Sequence, residues 1–191
     1  MRNSLWSSDA GTGDCFATHP LYCLGVSATV AVRPDPTPGR LAFVVRDYQS
    51  GGGLASADLS CSQAATKAKL PGSYKALLAM TTASAASRFN SAGATWVRLD
   101  GIALAPTAAT FFSGHPQPLT LGTDGIYGAY WVRTGMDNGP LAVGVQTCSN
   151  WTSNGSAQKS IMGIGPSPTD LFQTTFAFGC DTQRDLYCLQ E

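Results

Sequence analysis

Charge is scarce in this chain. Asp, Glu, Lys and Arg make up 13% of its 191 residues, and twelve cations balance twelve anions. No basic run or stripe is present, and neutralising nucleic-acid phosphates needs several Lys or Arg on one face. Nucleic acid and heparin are therefore excluded as expected partners. Long apolar runs are missing too: none approaches the ~20 residues that span a bilayer. The opening residues, Met1 to Trp6, lack the apolar stretch of an export signal. Only two histidines occur, His19 and His115, and no Cys pair has the close C-x-x-C spacing of a zinc site. There is no G-x-S-x-G elbow and no H-E-x-x-H helix. Asp100, Asp124 and Asp137 could be paired on paper as hydrolytic carboxylates, but spacing favours no pair. No catalytic residue, metal site or cofactor is expected.

Six cysteines stand out against this background: Cys15, Cys23, Cys61, Cys148, Cys180 and Cys188. An even count points to disulfides, with fifteen possible connectivities. Disulfides in turn point to an oxidising, extracellular or cell-surface setting. The two ends repeat a pattern. Cys15 to Cys23 and Cys180 to Cys188 both read C-x5-L-Y-C, and each is followed by Leu. Between the first copy and the rest, Val32 to Gly39 carries alternating prolines, a semi-rigid linker signal. Residues 1–26 thus read as the remnant of a preceding domain of the same kind, 27–39 as a Pro-rich linker, and 40–191 as one whole domain. An export signal would then lie upstream. The alternative is an N-terminal hairpin of this same domain. On either reading Cys15 and Cys23 are expected to bond each other.

Within 40–191, Leu41 to Arg46 reads as a strand. Ser56 is expected to cap a helix with Asp58 in its first turn, and Leu54, Asp58, Cys61, Ala65 and Ala68 share one face. Pro71-Gly72 ends that helix. Tyr74 to Met80 reads as a short strand, Thr82 to Phe89 as a second helix capped by Thr81 or Thr82, and Thr95 to Asp100 as a strand. Residues 101–141, dense in Gly and Pro, read as one long irregular loop, a feature that is usually functional or covered by its own side chains. Strand signals return at Ala142 to Cys148, Phe176 to Cys180 and Asp185 to Leu189. The class is α+β, with two short helices, a small twisted antiparallel sheet and a long irregular loop.

The order of several stretches carries a resemblance: Ala55 to Cys61, Gly72 to Leu78, Phe112 to Gly114, the Cys148-Ser-Asn-Trp151 motif and the terminal Leu186-Tyr-Cys188. Together they resemble the C-type-lectin-like fold in its endostatin-like branch, and most closely a bacterial family of endostatin-like outer-surface domains of unknown function. The resemblance covers about residues 40–191. It implies two bridges, Cys61–Cys188 and Cys148–Cys180. It does not carry the rest of those families' chemistry. Gln117-Pro118-Leu119 resembles the calcium-binding triplet of sugar-binding members but lacks its carboxylate, and no Asp follows Ser149-Asn150-Trp151. The arginine clusters and His-rich zinc site of endostatin have no counterpart.

Aromatics in the long loop are the remaining source of binding energy. Phe111, Phe112 and Trp131 are expected to form the loop's own core, and Trp151 to be buried. Asp124, Tyr127, Asp137 and Asn138 are the candidate binding residues, being polar or amphipathic and placed at turns, although Asp137-Asn138-Gly139 also reads as a plain tight turn. Asn150-Trp-Thr152 and Asn154-Gly-Ser156 match glycosylation sequons, which matter only in a eukaryotic source. The expected function is an extracytoplasmic, non-enzymatic binding or adhesion module. It would recognise a protein or glycan through its long-loop face, in tandem with a like domain upstream. The alternatives are a structural spacer of a bacterial surface protein, without a ligand, and a Ca-dependent lectin.

Overall fold

A computed structural model describes residues 36–128 and 131–191. The tail, most of the linker, the Cys15–Cys23 pair, His19 and Tyr130 lie outside the described residues. Residues 36 onward belong to one unit, Asp35–Glu191. Its elements are β1 (Arg40–Tyr48), α1 (Gly53–Lys67), β2 (Tyr74–Ala76), a 3-10 turn (Ala86–Arg88), β3 (Trp96–Arg98), α2 (Ala108–Ser113), β4 (Trp131–Arg133), β5 (Lys159–Ile164), β6 (Ala177–Gly179) and β7 (Arg184–Gln190). The class is α+β, with a seven-stranded sheet.

The terminal strand β7 is the spine of that sheet. Along one edge it pairs antiparallel with β1, Phe43 opposite Cys188 and Val45 opposite Leu186. Along the other it pairs antiparallel with β2 and parallel with β4. β3 extends the sheet beyond β1, and β5 and β6 extend it beyond β4. Phe43, Leu186 and Cys188 belong to one apolar layer under α1, while Ala42, Val44, Tyr187 and Leu189 belong to a second layer on the other side. This is the period-2 alternation of strands buried on both faces.

α1 lies on the sheet through Ala57, Cys61 and Ala65, all buried. Small side chains permit the close approach that the Cys61–Cys188 bridge requires, with Cα atoms 5.5 Å apart. The expected Ser56 cap is not formed. The helix begins four residues earlier, after Gly52, and has no acidic residue in its first turn. Gly51 (φ 132°) and Gly53 (φ 73°) adopt conformations that glycine alone enters freely. This lets both N–H groups reach the Trp151 carbonyl. Asp58, displaced to the second turn, instead accepts from the Ala76 N–H at 2.9 Å and from Arg88 at 2.6 Å.

Three further expectations are corrected. Thr82 to Phe89 is not an α-helix. Only Ala86–Arg88 turns, because the Ala86 N–H is taken by the Pro140 carbonyl and Met80 closes a turn with Ala83. The helix lies instead at Ala108–Ser113, inside the stretch read as irregular, where Thr107 and Thr110 form a reciprocal capping box. Its Phe111 and Phe112 are buried against Trp96. Nor is Ala142–Cys148 a strand. It holds only isolated bridges, Val143 with Ser84 and Thr147 with Ser160, and ends in a turn at Cys148. β4 and β5 also occupy segments that carried no strand signal.

The second bridge, Cys148–Cys180, anchors a local oddity. Cys148, Ser149, Asn150 and Trp151 all have φ between 51° and 69°, one turn of left-handed helix made without glycine. Such a turn costs about 1–2 kcal/mol per residue. It is held by the bridge, by Trp151 N–H to Thr147 O at 2.8 Å, by the buried Trp151 indole to Ala79 O at 2.9 Å, and by Asn150 to Thr81. Ser149 is the exposed member of the turn. Ser149→Gly is therefore expected to stabilise the protein by about 1 kcal/mol, a gain that removes left-handed strain without removing a contact. A urea melt that moved the other way would show that the turn is not strained.

Candidate functional site

Residues 101–158 carry little charge, and Asp124, Tyr127 and Asp137 each hold a hydrogen-bond partner. Asp100 holds a paired fork from Arg98, Nε to Oδ1 at 3.0 Å and Nη2 to Oδ2 at 2.5 Å. The Tyr127 hydroxyl donates to the same carboxylate at 2.7 Å. Burial works to raise the Asp100 pKa, but the hydrogen bonds from Arg98 and Tyr127 and the Arg98 charge outweigh it and hold the pKa at about 2. A carboxylate depressed in the folded state contributes stability above its unfolded pKa of ~3.9 and loses it as pH falls. The Asp100 contribution is thus expected to vanish between about pH 4 and pH 2. Urea midpoints should fall over that window in the wild type and fall less in Asp100→Asn; equal slopes would remove Asp100 from the account.

Asp124 sits on the hairpin that joins Leu121 to Tyr127. It accepts from Arg46 at 2.5 Å and from the Ile126 N–H at 3.0 Å. That backbone bond, with the Arg46 charge, depresses its pKa against a smaller effect of burial. Asp137 accepts from the Val145 and Gln146 N–H groups at 2.5 and 3.2 Å. Asn138 is exposed and lines a groove of about 340 Å³ together with Phe112, His115, Leu141, Phe172 and Gln173. The four residues singled out in the sequence thus fall into two groups. Asp124 and Tyr127 secure the Arg46 and Arg98 corner, while Asp137 and Asn138 shape the loop that follows β4. Gln117-Pro118-Leu119 is used for structure: Leu119 is fully buried and Pro118 O accepts from Arg98. Among the described residues no cluster of three or more His, Cys, Asp or Glu could hold a metal ion.

The surface that sequence reasoning missed is apolar. Leu141, Val143 and Val145 are 64%, 48% and 70% exposed, while Gly144 between the two valines is buried. Gly144 lies so close to Gly135 that an added Cβ would come within 2.3 Å of the Gly135 carbonyl oxygen. With the backbone pressed against the protein, the side chains on either side stand outward. The Gly144 N–H bonds Met80 O, and Asp137 takes the next two N–H groups. The result is a ridge held by three successive backbone N–H bonds. On one side lies the Asn138 groove. On the other lies a second of about 410 Å³, lined by Thr81, Val145, Gln146, Ser149, Gln158 and Lys159 among others. The signal for this face is in the sequence: Asn138 to Gln158 is twenty-one residues without one ionisable side chain apart from the bridged Cys148.

Neither a protein-family model nor a curated protein matches the chain. Two disulfides are present, and among the described residues no helix is long and apolar enough to cross a membrane.

Proposed function

We propose that the chain is an extracytoplasmic, non-enzymatic binding module of C-type-lectin-like architecture, recognising a protein or glycan through the face built by residues 101–158. The observation that carries this reading is the state of that face. Its carboxylates are spent on Arg98, Arg46 and backbone N–H groups, while three aliphatic side chains stand exposed and fixed between two grooves. Asp100 and Asp124, whose pKa values these donors lower, are weak general bases, and among the described residues the carboxylates do not gather into a metal cluster, whereas exposed apolar side chains beside polar grooves are the material of an interface. The architecture is supported by the pairing of the first and last strands and by the helix bonded to the last strand. Export is supported by the two bridges, which reducing compartments do not sustain.

A microarray of matrix proteins and neutral and acidic glycans, probed with the oxidised chain, tests the reading. Binding that is lost in Asn138→Ala or Val145→Asp and kept in Leu59→Asp, on the exposed side of α1, is the expected result. Binding that ignores all three substitutions would place recognition elsewhere, and silence across the array with no self-association would favour a spacer.

A further inference from the structure

We propose that Arg133, Arg184 and Tyr48 form an internal site for one small monovalent anion of the size of chloride. Three buried donors find no acceptor within the chain: Arg133 Nε, Arg184 Nε and the Tyr48 hydroxyl. Arg133 is fully buried and Tyr48 is 5% exposed. A polar group buried without a partner is costly, and native folds rarely leave one uncompensated. Neither arginine joins an ion pair among the described residues. Every hydrogen-bond partner of the two guanidinium groups is uncharged.

The fold gathers these groups around one turn. Arg133 pairs with Leu186 across β4 and β7, and Tyr48 pairs with Arg184 across β1 and β7. Residues 184 and 186 point to the same side of β7, the side whose apolar layer includes Tyr48, Leu186 and Cys188. The turn between β6 and β7 closes over them. Arg133 donates to Gly179 O and Thr182 O in that turn, while Gln49 and Ser50, next in the chain after Tyr48, both donate to Cys180 O, at 2.6 and 3.0 Å. The Phe178 ring covers Arg184, its centroid 4.7 Å from the guanidinium carbon. The charges act on one another: burial and then Arg184 lower the Arg133 pKa, and the Arg133 charge opposes the rise that burial causes at Tyr48. Asp181, on the same turn, is exposed and forms an ion pair with neither arginine. A water molecule accepts two hydrogen bonds and leaves both cationic charges uncompensated. An anion accepts from all three donors and offsets one charge, and charge-assisted hydrogen bonds are the stronger kind.

Urea melts of the oxidised chain, with sodium gluconate exchanged for sodium chloride at constant ionic strength, test the site. The wild-type midpoint is expected to rise with the logarithm of chloride concentration, because an ion bound only by the folded state stabilises it. Tyr48→Phe removes one donor and keeps the ring. It should raise the chloride concentration at which that rise begins about tenfold, the loss of one hydrogen bond to an ion. Lys159→Gln, which removes an exposed cation elsewhere, should leave the chloride response unchanged. Each variant is compared with itself in gluconate, so a change in its basal stability does not enter. Anomalous scattering from crystals soaked in sodium bromide should place the ion within hydrogen-bond reach of Arg133 Nε and the Tyr48 hydroxyl. Equal midpoints in the two salts overturn the inference, as does a chloride response indifferent to Tyr48→Phe or a bromide peak confined to the surface.

Discussion

Replacing Cys61 and Cys188 together by Ala is expected to cost about 5 kcal/mol, against about 4 kcal/mol for Cys148 and Cys180. The ordering comes from the length of chain each bridge closes, 127 residues for the first and 32 for the second. Loop entropy rises only logarithmically, so a fourfold difference in length is worth about 1 kcal/mol. For a domain of this size the first loss lowers the melting midpoint by roughly 10–20 °C. The two variants should also fail differently. Cys61 and Cys188 join α1 to the spine of the sheet, so losing that bond loosens the whole domain. Cys148 and Cys180 lock a left-handed turn that favours right-handed geometry when released, so losing that bond should first free the Thr147–Ser153 segment. Urea melts give the energies, and amide exchange gives the pattern. Equal energies with uniform exchange would contradict the assignment of separate roles.

The second large effect is expected at Arg133, where the conservative substitution should be the worse one. Arg133 is fully buried in β4 and takes part in none of the ion pairs among the described residues. Its guanidinium bonds Ser160 Oγ at 2.5 Å, Gly179 O at 3.0 Å and Thr182 O at 2.5 Å. Burial, and then the neighbouring Arg184 charge, pull its pKa down to about 10, so it remains charged at neutral pH. The planar fork ties β4 to β5 and to the turn between β6 and β7. Arg133→Lys keeps a charge buried but replaces the fork with a single ammonium that cannot reach all three acceptors. Arg133→Met orphans the same acceptors but also removes the cost of burying a charge. The expected losses are about 4 kcal/mol for Lys and about 2–3 kcal/mol for Met. Lys tolerated better than Met would mean that the charge itself, rather than the fork, is what the site needs.

What could be read in advance divides along physical lines. β1, α1 and β7 were legible because each is long enough to show a period, and their boundaries moved by only a few residues. α1 shows where propensity misleads: Ser56 is a good cap by type, but the glycines at 51–53 let the helix start earlier by bonding Trp151. β4 was hidden by a buried arginine, which reads as a surface residue until its three acceptors are seen. β5 was hidden because it alternates nothing: Ser160 to Gly163 are all buried, and Gly163 is required where Leu171 O would lie 1.9 Å from an added Cβ. Ala142 to Cys148 looked like a strand because its alternation is real. The N–H groups a ladder would use are taken by Met80 and Asp137, and the outward set is Val143 and Val145.

The candidate residues show the same limit of reading by residue type. Asp124 and Asp137 were chosen as polar groups at turns, and the structure employs both in holding the loops, through Arg46 and through two backbone N–H groups. Asn138 faces a groove. The ridge escaped notice because apolar side chains in a β-like pattern are expected to point inward. Only the absence of charge over twenty-one residues hinted otherwise, and single residues do not display an absence.

Amide hydrogen exchange of the chain alone and with a component captured on the array locates the contact without presupposing its chemistry. Slowed exchange confined to Asn138–Thr147 and the adjoining groove walls is the predicted result. Slowed exchange along α1 and β1, with Asn138–Thr147 unchanged, would contradict it.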